Sequence, residues 1–192
     1  MNSRIKWTHI YCNLRPYNPE TKYVYVMRNP KDIFVSSYYA DKGYEEYNYQ
    51  GTFDDHFNLF MNGQLPYGDY FEHLSSFIPH LNDDNFLYLY YEQMIANPKQ
   101  SVLKIADFLG KEFAEKLNEN NGLILNKVLE YSSFESMRNN PAILDVMMRK
   151  GIVGDWRSLM TKTQSDLIDK KFHHYFNGTD IEKTLQEYMK WE

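Results

Sequence analysis

The stretch Lys22–Tyr39, KYVYVMRNPKDIFVSSYY, decides how this chain folds. An apolar run dense in β-formers ends at Arg28, Pro30 follows, and an amphipathic segment opens with hydroxyls in its early turns. That order reads as a strand feeding a helix N-terminus, where backbone N–H groups and the helix dipole favour an anion. Arg28 at the strand's end adds a guanidinium, and Ser36 inside the helix adds a hydroxyl. The combination reads as a phosphate site.

A second anion-type stretch lies far downstream, MMRKGIVGDWR, Met147–Arg157. Arg149 and Lys150 supply charge, while Gly151 and Gly154 let backbone amides approach an anion closely. It lacks the Gly-Lys-Ser/Thr ending of a Walker loop. Two such segments imply one ligand with several phosphates, or two sites.

Between and beyond them, strand and helix signals alternate. Tyr23–Met27 and Asn85–Tyr90 read as strands. The clearest helix starts at Pro98 after the N-cap Asn97, places Val102, Ile105, Ala106 and Leu109 on one face, and stops at Gly110. Further helices are expected over Phe53–Asn62, Tyr70–Phe77, Asn126–Tyr131, Gln164–Phe176 and Ile181–Met189, with Tyr44–Gln50 a surface loop. Strand–helix–strand order with continuous apolar strands implies an α/β fold, a parallel sheet flanked by helices on both faces. No repeat or long linker divides the 192 residues, so one domain, 1–192, is expected. A chain of this size buries roughly 70% of its unfolded surface.

Composition narrows the function. The net charge of −5 gives no global field for nucleic acid or an anionic membrane. No apolar run reaches the ~20 residues of a membrane span, and the opening residues show no secretory pattern. The single Cys12 forms no internal disulfide and is expected to be a buried free thiol in a reducing compartment. The cytoplasm is the expected location. Asn177-Gly178-Thr179 fits a sequon, but reads as a turn with Gly178 ending a helix. The six histidines form no metal-ligand pattern such as HExxH.

Together the quoted motifs resemble the cytosolic sulfotransferase family, across nearly all of the chain. VYVMRNPKDIFVSSYY is similar to that family's 3′-phosphate strand and helix. FLYLYYEQMIANPKQSVLKIADFLG is similar to the strand and helix around its adenine-contacting tyrosine. SSFESMRNNP and MRKGIVGDWR are similar to its two later nucleotide-binding segments, and the order matches. The resemblance implies a P-loop-nucleotide-hydrolase-like fold that moves a sulfuryl group from 3′-phosphoadenylyl sulfate (PAPS) to a hydroxyl or amine. The product nucleotide would be adenosine 3′,5′-bisphosphate (PAP), and no metal takes part. It also implies roles: Arg28 and Ser36 on the 3′-phosphate, Tyr91 on adenine, and Phe134 packed on the purine. Ser132 stands where threonine is common, Met137 matches a nearby apolar position, Met147 and Met148 keep an apolar wall, and Arg149, Lys150 and Gly151 complete the phosphate contacts. His9, in WTHIYCN, matches the catalytic base; Trp7 stands where that family has lysine, and Lys6, one residue off, would point to the opposite face of a strand.

The family's phosphate loop of the type TYPKSGTTW has no counterpart here, and MNSRIKWTHIYCNL resembles the stretch bearing the catalytic histidine. The expectation is an N-terminally truncated member, the C-terminal two-thirds of the fold, weakly active or inactive alone. The alternative is a non-catalytic 3′-phosphoadenosine-nucleotide-binding remnant. A small phenol, amine or steroid-like acceptor is the expected partner. A homodimer is implied through a pairing segment KxxxTVxxxE, which here reads Arg157, Thr161, Lys162 and Asp166, a cation replacing the valine.

Overall fold

The computed structural model describes residues 5–14, 18–141, 143 and 148–191. Two parallel strands form the sheet among these residues: β1, Tyr23–Met27, and β2, Phe86–Tyr90, in register from Tyr23 opposite Phe86 to Met27 opposite Tyr90. Parallel neighbours need a long crossover. Here it carries α1 (Pro30–Gly43), α2 (Phe53–Met61) and α3 (Tyr70–Ser75). Beyond β2 the chain continues through α4 (Tyr91–Ala96), α5 (Pro98–Leu109), α6 (Lys111–Tyr131), α7 (Phe134–Arg138), α8 (Lys162–Phe176) and α9 (Asp180–Met189). The architecture is α/β, a parallel sheet flanked by helices.

Local chemistry explains most boundaries. Asn29 caps α1, its side chain accepting from the Lys31 amide, with Pro30 at the first helical position. Thr52 and Thr161 each form a capping box, with Asp55 and Gln164 respectively. The cap of α5 is Asn97, as the sequence implies. The expected helix Asn126–Tyr131 is only the end of α6, which begins at Lys111 and is broken at Glu119–Gly122. Asn120, Asn121 and Gly122 there take left-handed backbone angles. The polar run through the break hides the helix from a periodicity reading.

The main core joins Met27 of β1 and Phe34 and Val35 of α1 with Phe57, Phe60, Phe71, Trp156, Ile168, Phe172, Phe176, Ile181 and Leu185. The first and last thirds of the chain therefore share one interior. Cys12 is buried, packed with Phe77 and Phe86. Lys162 opens α8 and pairs with Asp166 one turn on, both largely exposed. No helix among the described residues is long and apolar enough to cross a membrane.

Candidate nucleotide and acceptor site

Because β1 and β2 end in register, the residues after them, Arg28 and Tyr91, emerge side by side. The Arg28 guanidinium lies over the Tyr91 ring, 4.1 Å from its centroid, a cation–π geometry. Arg28 Nη2 donates to the Ile152 carbonyl at 3.4 Å, while Arg28 Nε is buried without a partner among the described residues. A buried guanidinium N–H left open is costly unless something occupies it. An anionic oxygen fits that donor.

The turn that supplies Ile152 is shaped by Gly151, at φ +65°. A Cβ on Gly151 would fall 2.3 Å from the Phe134 ring, so that ring lies directly on the turn. Asp155 draws in both neighbouring cations, accepting from Arg149 Nη1 at 2.5 Å and Lys150 Nζ at 2.7 Å. Burial alone would raise the Asp155 pKa, but Lys150 and Arg149 hold it below the usual carboxylate value. Arg149 also reaches back to α1, lying 4.8 Å from the Tyr39 ring centroid. The contacts thus link Arg28, Tyr91, Phe134 and the Arg149–Gly151 turn, drawn from widely separated stretches of sequence. Ser36 (half-buried on α1), Ser132 (exposed at the end of α6), and the half-buried Met137 and Met148 are placed by their elements rather than by a direct contact within that group, among the described residues. Met147 lies outside the described residues.

His9 lines a separate cleft of about 510 Å³ together with Trp7, Thr8, Ile10, Tyr11, Leu14, Pro66, Tyr67 and Gly68. Its ring packs 4.5 Å from that of Tyr67 and 5.8 Å from that of Trp7. Partial burial lowers its pKa below 6.5. The imidazole is therefore neutral at pH 7 and able to accept a proton. Three consecutive residues join this cleft to the cationic cluster. Gly68 lines the cleft, the Asp69 amide and carbonyl both bond the Tyr11 hydroxyl, and the Tyr70 hydroxyl donates to the Arg28 carbonyl.

Four side chains here carry parts that the sequence reading left unassigned. Tyr67 walls the cleft, and Tyr47 in the 44–50 loop hydrogen-bonds its hydroxyl at 3.2 Å. His73 shares a hydrogen bond through Nδ1 with the Tyr25 hydroxyl at 3.0 Å. Burial lowers its pKa, and the proximity of His9 lowers it further. Asp155 stands inside the recognised GDW motif, so its spacing of five and six residues from the two cations was available as a signal. No group of three or more His, Cys, Asp or Glu that could hold a metal occurs among the described residues.

A family model described as the sulfotransferase domain matches residues 2–187. Mouse (Mus musculus) sulfotransferase 1B1 is 34% identical over 195 residues, covering 93% of this chain and 63% of its own. Rabbit (Oryctolagus cuniculus) sulfotransferase 1C2 is 31% identical over 199 residues, with coverages of 95% and 65%. The chain thus spans a little under two-thirds of the length of these curated relatives. Among solved structures, mouse sulfotransferase SULT7A1 complexed with PAP superposes with a TM-score of 0.79 at 29% identity, over 88% of this chain and 63% of that one. Retinol dehydratase in complex with androsterone and PAP gives a TM-score of 0.72 at 30% identity, over 83% and 48%.

Proposed function

The chain belongs to the sulfotransferase family, and from that premise we propose that it binds PAPS and serves sulfuryl transfer to a hydroxyl or amine of a small acceptor. The observation that carries this reading is the open, buried Nε of Arg28, framed by Tyr91 and the Gly151–Ile152 turn. Arg28, Ser36, Arg149, Lys150 and the amide of Gly151 would hold the 3′-phosphate. Tyr91, Ser132, Phe134, Met137 and Met148 would surround the adenosine, where a base–aromatic stack contributes ~1–3 kcal/mol. Two neighbours crystallised with PAP support the choice of nucleotide.

Bound PAPS would supply the sulfuryl group, and PAP would leave. His9 would accept the acceptor's proton as its oxygen or nitrogen bonds sulfur, a contribution of about 10²–10⁴-fold. The aromatic cleft around His9 fits a phenol, amine or steroid-like acceptor. The neighbour complexed with androsterone supports the steroid-like class. The proposed setting is the cytoplasm, with neither nucleic acid nor membrane as partner.

Titration calorimetry with PAP tests the nucleotide half. Heat is expected from the native chain, and Arg28→Ala should weaken binding at least tenfold, since a charge-assisted bond contributes ~1.5–3 kcal/mol. No heat from the native chain would overturn the reading. Labelled PAPS with a simple phenol tests transfer; binding without turnover would leave a nucleotide-binding protein alone.

A further inference from the structure

Resting on the nucleotide reading above, we infer that Asp32 is a positioning residue whose carboxylate holds the 149–156 turn against the start of α1 and thereby sets affinity for the 3′-phosphate. Asp32 is 2% exposed. Its Oδ2 accepts from the Gly154 amide at 2.8 Å and its Oδ1 from the Trp156 amide at 3.3 Å. Both donors lie on the turn that carries Arg149, Lys150 and Gly151. The same turn receives Arg28 Nη2 at the Ile152 carbonyl. Its backbone is thus bonded to the β1–α1 junction in both directions, donating to Asp32 of α1 and accepting from Arg28 just after β1.

Helix formation does not require this arrangement. Asn29 already caps α1, and an exposed aspartate would satisfy the helix dipole as well. Burying a carboxylate is unfavourable unless its oxygens are occupied, and here the occupants are backbone amides of the cationic turn. A negative charge next to a phosphate site opposes the ligand electrostatically, so what Asp32 contributes is geometry. Asp155 does for the side chains of Arg149 and Lys150 what Asp32 does for the backbone.

Calorimetry on the native chain, Asp32→Ala and Asp32→Asn, with PAP and with adenosine 5′-monophosphate, separates the possibilities. The native chain should prefer PAP. Asp32→Ala should lose on the order of tenfold or more of that preference while its affinity for the monophosphate changes by less than about twofold. Asp32→Asn, which keeps one carbonyl acceptor, should fall between. A native chain that does not distinguish the two ligands would overturn the nucleotide reading and this inference with it. A native preference that both variants retain would overturn the inference alone. Equal weakening toward both ligands would also overturn it, since that marks general loss of structure. Amide hydrogen exchange on the native chain needs no variant to fold: Gly154 and Trp156 should exchange slowly, and fast exchange at both would remove the latch.

Discussion

At the scale of single residues, Gly151 decides how closely the Phe134 ring approaches the cationic turn. Its φ of +65° suits glycine, and a methyl group would meet ring carbons 2.3 and 2.7 Å away. Gly151→Ala therefore combines left-handed strain of about 1–3 kcal/mol with a collision against an aromatic ring. Calorimetry should show PAP affinity reduced by tenfold or more, with far-UV dichroism unchanged; native-like affinity would mean that ring and turn need not touch. His9 supports a pH prediction. Packing against Tyr67 and Trp7 disfavours the charged imidazole and lowers its pKa from 6.5. A base works when neutral, so His9-dependent transfer should be level above about pH 6.5 and decline as pH falls through the lowered value. NMR titration of the imidazole should give a midpoint below 6.5; one at or above it would contradict the packing described.

At the scale of elements, α3 carries a titration of its own. Burial lowers the His73 pKa, with Tyr25 bonded to one ring nitrogen. Its folded pKa lies below the unfolded 6.5, so the unfolded chain binds the extra proton first. His73 thus stabilises the fold fully above pH 6.5, and that stability is lost as pH falls toward the folded value. Glu92 and Asp169, raised by burial, act in the opposite sense above their ordinary values of 4.5 and 3.8. The informative quantity is therefore the difference between native and His73→Gln melting temperatures, which should shrink steadily from pH 7 to pH 5. A constant difference would dismiss the linkage. The elements also show what the sequence could reveal. Asn97, Pro98 and Gly110 announce α5 because caps and breakers act locally. Arg28, Arg149 and Gly151 stand out in the sequence as candidate site residues because charge and backbone freedom mark an anion site within a few residues. Asp32 does not, since its partners lie 122 and 124 residues away and no local pattern records such a pairing.

At the scale of the whole molecule, one buried cation ties the beginning of the chain to its end. Lys31 is fully buried, and its Nζ donates to Ser165 Oγ at 2.7 Å, Asp169 Oδ2 at 2.8 Å and the Met189 carbonyl at 2.5 Å, while lying 4.4 Å from the Trp156 ring centroid. Three bonds thus join the first turn of α1 to α8 and to the last residue of α9. Burial pushes the Lys31 pKa down and Asp169 opposes that shift, so the ammonium's stability depends on its acceptors. Lys31→Met keeps the stem against Trp156 and removes every donor. It should lower stability by about 2–3 kcal/mol, because the buried Ser165 hydroxyl and Met189 carbonyl both lose their donor. At roughly 2–4 °C per kcal/mol for a chain of this size, the melting temperature should fall by several degrees. Asp169 is 44% exposed and can turn to water, so Asp169→Asn should cost clearly less. Thermal melts of the two variants decide the matter: if Asp169→Asn costs as much as Lys31→Met, the single ion pair, rather than the three-way junction, joins the two ends of the chain.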